Sequence, residues 1–131
     1  SYDAIRVYLW AGMSGRHTQT LLTLLKPFAT VIKNLGAPPE HMNPVTGRAV
    51  VADFVPTGFS GAVLPYLSAL NERETLEQQV TRLNLAAARA KLGEPTHYYE
   101  QAMILFGKGW LDGLYKFDAD GRLLPKWAGS T

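Results

Sequence analysis

Apolar residues recur every three or four positions along most of this chain, which is the pattern of amphipathic α-helices. The first such segment, Tyr2 to Met13, is apolar on almost every side, with Ser1 as its candidate cap and Gly15 beyond its end. A helix without a polar face belongs inside a larger group of helices. The second segment, Thr18 to Leu35, contains Pro27, which predicts either a kink or two separate helices.

Three more helices are predicted in the second half of the chain, at Gly58 to Leu70, Arg73 to Leu92 and Thr96 to Leu111. The spacing within the middle one predicts a core-facing set of apolar residues: Leu76, Val80, Leu83, Ala87, Ala90 and Leu92. Thr96 is the predicted cap of the last helix. These segments, joined by short connections, predict antiparallel helical hairpins.

Two segments are predicted to be non-helical. Residues 37–57 form a long loop rich in proline, with a possible short strand at Arg48 to Val55. Loops of this length are often functional, although a plain surface connection is an equally open interpretation. Leu114 to Pro125 predicts a β-hairpin because aromatic residues precede the turn residues Asp120 and Gly121. The predicted fold class is all-α, with helical hairpins and a small C-terminal β-hairpin.

Composition fits a folded domain and excludes several classes of function. The 131 residues are 47% hydrophobic and 18% charged, which supports a core and argues against disorder. A net charge of +2 with scattered basic residues argues against nucleic-acid binding. The chain has no cysteine, and His17, His41 and His97 show no ligand spacing, so we expect no metal site and no cofactor. No stretch has the roughly 18 apolar residues of a membrane span.

Residues with candidate chemistry lie at the start of the first helix. Asp3 and Arg6 are three positions apart and share a face, which Val7 and Trp10 continue. We expect both charges to be buried among apolar residues, where each needs the other as its partner. One interpretation is a structural ion pair that anchors the helix. The other is a general base kept ionised by the guanidinium, beside an aromatic platform suited to a sugar ring.

Small and hydroxyl residues elsewhere have structural interpretations. Gly107 and Gly109 do not match a phosphate-binding loop, and close helix packing explains them better. Ser60 is not accompanied by a histidine and an acid in the pattern of a nucleophilic triad, and its position is typical of the start of a helix.

The run Ser1-Tyr2-Asp3-Ala4-Ile5-Arg6-Val7-Tyr8-Leu9-Trp10 resembles the signature of bacterial endoglucanases of glycoside hydrolase family 8, of the type associated with cellulose synthesis. Later segments agree with this family in order and spacing, at Pro56 to Ala62, Tyr98 to Trp110 and Phe117 to Trp127. The resemblance covers essentially the whole chain.

The resemblance implies part of an (α/α)6 barrel and hydrolysis of β-1,4-glucan with inversion at the anomeric carbon. Carried over by position, Asp3 falls on the general base and Arg6 on the arginine near it. Tyr2 and Trp10 are candidate substrate contacts in the cleft. No glutamate of this chain lies in a motif that matches the family's proton donor, so the general acid is expected outside the chain.

The resemblance also implies that residues 1–131 are the C-terminal portion of one barrel domain, with the N-terminal portion absent. We therefore expect the isolated chain to be inactive, with a glucan chain and the remaining N-terminal part as its partners. Exported family members imply a periplasmic or secreted location. Two alternatives stay open: a non-catalytic helical module that binds glucan or a protein partner, and a related barrel enzyme acting on chitosan or xylan.

Overall fold

The computed structural model describes residues 1–50 and 55–129, and within them the chain is mostly helical. The α-helices in this part of the chain are α1 (Tyr2–Met13), α2 (Gln19–Leu25), α3 (Pro27–Leu35), α4 (Thr57–Ala69), α5 (Arg73–Lys91) and α6 (Tyr98–Leu111). Two antiparallel ladders pair β1 (His41–Met42) with β2 (Ala49–Val50), and β3 (Tyr115–Phe117) with β4 (Leu123–Pro125). The predicted fold class is confirmed. None of the described helices is long and apolar enough to cross a membrane.

Helix α4 lies at the centre of the fold, with α1, α5 and α6 packed around it. Its residues from Gly58 to Leu67 are all buried, because nearly every one is apolar or small and no side of the helix needs water. The surrounding helices contribute the rest of the core, including Ile5, Leu9, Leu22, Ala29, Ile32, Leu83 and Met103.

Glycines bring the helix backbones into direct contact on two sides of α4. A Cβ atom on Gly107 of α6 would lie 1.7 Å from the carbonyl oxygen of Gly61. A Cβ atom on Gly12 of α1 would lie 2.2 Å from the backbone nitrogen of Tyr66. The packing interpretation of Gly107 is therefore confirmed. Gly109 is less confined, since its Cβ would meet only a ring carbon of Tyr115 at 3.3 Å.

Most predicted helix limits agree with the structure to within one or two residues. Helix α1 has the predicted bounds, and Ser1 caps it by accepting a hydrogen bond from the backbone N–H of Ala4 at 3.4 Å. The segment around Pro27 forms two helices, so the split is the alternative that occurs. The predicted cap Thr96 is wrong: α6 begins after His97, and the Thr96 hydroxyl instead accepts a hydrogen bond from Gln101.

Within the predicted loop, residues 41–50 form a short antiparallel β-ladder. Strand β2 lies within the strand predicted at Arg48 to Val55, of which positions 51–54 fall outside the described residues. Its pairing with β1 is closed by Asn43, whose side-chain oxygen accepts hydrogen bonds from Val45 N at 2.9 Å and Thr46 N at 3.0 Å. Side-chain turns of this kind fix a tight reversal without any hydrophobic pattern.

Candidate active site

One face of α1 is left uncovered by the other described helices, and it carries the predicted site residues. Asp3, Arg6, Val7 and Trp10 follow one another along this face, as the helical repeat of 3.6 residues requires. The opposite face, with Ile5 and Leu9, is buried against the core. The uncovered face borders a groove of about 460 Å³, called here the Asp3 groove, which is lined by Asp3, Arg6, Val7, Trp10, Ala11, Ser14, Thr18 and Leu21.

Asp3 and Arg6 form the predicted pair, but they are not buried. Arg6 Nη2 donates to Asp3 Oδ1 at 2.6 Å. The Arg6 side chain is 50% exposed and the Asp3 side chain is 90% exposed. The expected burial is therefore wrong for the described chain, because none of its helices packs over this face. An ion pair this exposed stabilises a fold by about 0–1 kcal/mol, so it is a weak structural anchor.

Trp10 is a half-exposed aromatic surface one turn beyond Arg6. Its ring centre lies 5.9 Å from that of Phe117 in β3, so the C-terminal hairpin supports the tryptophan from behind. The hairpin is itself fixed by Tyr115, whose hydroxyl donates to the carbonyl oxygen of Phe106 at 2.6 Å. The structure thus brings Trp10 into the same groove as Asp3 and Arg6, with about half of its surface exposed.

Tyr2 lies apart from the Asp3 groove, where the N-terminal ends of α1, α4 and α6 meet. Its ring packs edge-on against Phe59 at 5.0 Å and against Tyr99 at 5.3 Å between ring centres. Desolvation and the nearby carboxylates of Glu40 and Glu100 raise the pKa of the Tyr2 hydroxyl. Tyr2 is therefore a neutral hydrogen-bond donor at the end of α1 that also carries Asp3.

Glu40 and His41 also lie near the start of α1, and no motif in the sequence singles them out. His41 Nε2 is 3.5 Å from Glu40 Oε1. The only local signal is the rigid Pro38-Pro39 pair that leads into Glu40. Both residues border a cavity of about 340 Å³ on the other side of α1 from the Asp3 groove, whose other lining residues include Ala4, Ile5, Tyr8, Phe28, Pro39 and Phe59.

The chemistry open to the Asp3 groove is that of one carboxylate with an aromatic neighbour. Arg6 engages Oδ1 of Asp3, and Oδ2 accepts no hydrogen bond from the described residues. Such a carboxylate can take a proton from a bound water or hold a sugar hydroxyl. In the described residues, no group of three or more histidine, aspartate or glutamate side chains is arranged to hold a metal ion.

Proteins named endoglucanase are similar to this chain over nearly all of its length. It is 45% identical over 130 residues to the endoglucanase of Xanthomonas axonopodis pv. citri (strain 306) and 38% identical to that of Escherichia coli (strain K12). Each match covers 97% of this chain and 33% of the relative. The chain therefore spans about a third of the length of the curated relatives it matches. No family model matches the chain.

The fold is also similar to that of a solved endoglucanase. The crystal structure of endo-1,4-D-glucanase from Vibrio fischeri ES114 superposes with a TM-score of 0.71 at 33% sequence identity. The superposition covers 98% of this chain and 36% of that structure. The helical arrangement described above is consistent with part of an endoglucanase helical barrel.

Proposed function

We propose that this chain forms the general-base side of an inverting endo-β-1,4-glucanase of glycoside hydrolase family 8. The proposal rests chiefly on one observation: Asp3, Arg6 and Trp10 share an exposed groove in a chain that resembles endoglucanases along 97% of its length. A periplasmic or secreted location belongs to the same proposal, since it follows from the family alone.

The proposed mechanism assigns one proton transfer to Asp3. Its carboxylate takes a proton from a water molecule while the water oxygen bonds to the anomeric carbon, on the side opposite the leaving oxygen. A carboxylic acid protonates that leaving oxygen as its bond to the anomeric carbon breaks, so the configuration inverts. The two carboxyl groups stand roughly 6.5 to 9.5 Å apart to leave room for the water.

Arg6 and Trp10 have supporting roles in this scheme. Arg6 holds Oδ1 of Asp3 and so leaves Oδ2 as the oxygen that faces the water. The exposed face of the Trp10 ring packs against the C–H face of a sugar, which orients the anomeric carbon above the carboxylate. Tyr2 donates a hydrogen bond to a sugar hydroxyl at the same end of α1.

A second polypeptide segment is needed to complete the site, and we propose that it corresponds to the other two thirds of the endoglucanase relatives. Large apolar side chains that do not line the Asp3 groove are also exposed, among them Leu24, Leu105 and Phe106. Exposed apolar surface of this kind marks a protein contact. The segment that covers it would carry the general acid, and the isolated chain should not hydrolyse glucan.

A chimera tests this proposal. The chain replaces the matching third of the Xanthomonas endoglucanase, and turnover is measured on carboxymethylcellulose, chitosan and xylan. Asp3→Asn should lower kcat on carboxymethylcellulose by about 10³-fold, because the water loses its base. Asp120→Asn makes the same chemical change in the exposed hairpin turn and should leave kcat within about twofold.

The outcomes separate the parts of the proposal. Near-normal turnover by the Asp3→Asn chimera, with an unchanged circular dichroism spectrum, would show that Asp3 is not the base. Faster hydrolysis of chitosan or xylan than of carboxymethylcellulose would assign the chain to a different polysaccharide.

A further inference from the structure

Three polar side chains, Ser60, Gln79 and Arg82, form a hydrogen-bonded network between α4 and α5, called here the clamp. Ser60 Oγ donates to Gln79 Oε1 at 2.7 Å, and Arg82 Nη1 donates to Ser60 Oγ at 2.7 Å. Ser60 and Gln79 are fully buried, and burial lowers the pKa of the Arg82 guanidinium. Burying these groups is unfavourable unless their hydrogen bonds are met, so the network needs further partners.

Those partners are the two ends of the segment between α3 and α4. Gln79 Nε2 donates to the carbonyl oxygen of Gly36, the first residue after α3, at 3.1 Å. Arg82 donates to the carbonyl oxygens of Val55 and Pro56, just before α4, the latter at 3.3 Å. Two side chains one turn apart on α5 thus hold together the beginning and the end of residues 36–56.

A rigid connection leads from the clamp to the start of α1. Pro38 and Pro39 are buried, and their rings fix the backbone between Gly36 and Glu40. The carbonyl oxygen of Glu40 accepts a hydrogen bond from the Ser1 amino group at 2.6 Å, which places Glu40 beside the start of α1. The backbone at Glu40 is therefore fixed beside α1 by two contacts, that of Ser1 with Glu40 itself and that of Gln79 with Gly36.

We propose that Gln79 and Arg82 are positioning residues that clamp both ends of residues 36–56, and that Gln79, through Gly36, helps to hold Glu40 as a sugar-binding wall beside the N-terminal end of α1. Glu40 borders a cavity with aromatic lining, where its carboxylate accepts hydrogen bonds from sugar hydroxyls while a ring packs on the sugar face. The sugar-binding part rests on the proposed function. The clamping part does not.

Limited proteolysis of the chain tests the clamp directly. Arg48 is the only lysine or arginine in residues 36–56, and it is exposed between β1 and β2, so its rate of trypsin cleavage relative to wild type reports how firmly this segment is held. Arg82→Met removes the charged donor and should accelerate cleavage at Arg48 by at least about tenfold. Leu22→Ala is the control, since it destabilises the core from α2, outside the clamp. The two cleavage rates are compared under conditions that give both variants the same unfolding free energy. Equal acceleration of cleavage by the two variants refutes the clamp.

A double-mutant cycle in the chimera tests the sugar-binding wall. Gln79→Leu, which removes the contact with Gly36, and Glu40→Gln should each raise KM by about fivefold while kcat changes by less than about twofold, because Asp3 is untouched. The double variant should raise KM no further than either single change, because both remove the same contact. If the two substitutions raise KM additively, or if KM does not change, Glu40 is not a sugar-binding wall. An inactive wild-type chimera refutes the proposed function and the wall together, while cleavage at Arg48 still decides the clamp.

Discussion

Replacing Gly107 by alanine probes the contact between α4 and α6 at its tightest point. The added Cβ would lie 1.7 Å from the carbonyl oxygen of Gly61, whereas ordinary van der Waals contact begins near 3.4 Å. Both positions belong to helix backbones, so no side-chain rotation can relieve the clash. The two helices must separate by roughly 1.7 Å at this point.

The expected loss of stability follows from two opposing terms. Overpacking a tight core costs about 1–3 kcal/mol, and separating two buried helices belongs at the upper end of that range. Alanine in place of glycine within a helix gains about 1 kcal/mol. The net effect of Gly107→Ala is therefore a loss of about 2 kcal/mol, a large share of the 5–15 kcal/mol typical of a folded domain.

Gly109→Ala is the matched control for this prediction. It gains the same helix propensity in α6, but its nearest neighbour is a ring carbon of Tyr115 at 3.3 Å, which can shift. Urea unfolding followed by circular dichroism should show Gly107→Ala less stable than wild type and Gly109→Ala unchanged or slightly more stable. If Gly107→Ala unfolds at the wild-type urea concentration, the backbone contact described here does not exist.

Three further substitutions test other features of the fold. Burial raises the pKa of Tyr66, so stability falls above about pH 10, where the unfolded chain loses this proton first. Between about pH 9 and about pH 11, the unfolding free energy of wild type should fall by up to about 1.4 kcal/mol more than that of Tyr66→Phe. Urea titrations at the two pH values measure this, and equal decreases in the two proteins would contradict it. The Thr75 hydroxyl is buried with no hydrogen-bond partner among the described residues. Thr75→Val should therefore raise the unfolding free energy by about 1 kcal/mol, whereas Thr81→Val, at an exposed position of the same helix, should leave it nearly unchanged. Gly36 has φ 79°, a left-handed conformation that alanine adopts only with strain and asparagine adopts more readily. Thermal unfolding should therefore show a loss of stability of about 1–2 kcal/mol for Gly36→Ala and a smaller loss for Gly36→Asn.

Local chemistry explains which elements could be predicted from the sequence. The limits of α1 follow from Ser1 and from the small residues after Met13, and the split at Pro27 follows from its missing N–H. The C-terminal hairpin follows from Gly121 and the apolar residues that flank the turn. Each signal lies within a few residues of the element that it determines.

Features that depend on distant contacts could not be predicted in the same way. The pairing of Asp3 with Arg6 follows from helical spacing, but their exposure depends on which elements cover that face. In α5 the apolar spacing predicts Leu76, Val80 and Leu83 in the core, yet only the last is fully buried. Polar Thr75 and Gln79 take the other core positions, since the angle between α4 and α5 decides which side of α5 is covered.

The confinement of α4 has a consequence for protein engineering. This helix touches backbone on two sides, through Gly12 and Gly107, and its buried run ends only at Leu67. A randomised library that includes α4 would contain mostly chains that fail to fold. Diversity introduced at Val7 and Leu21, which border the Asp3 groove from exposed positions, would leave the scaffold intact while changing what the groove accepts.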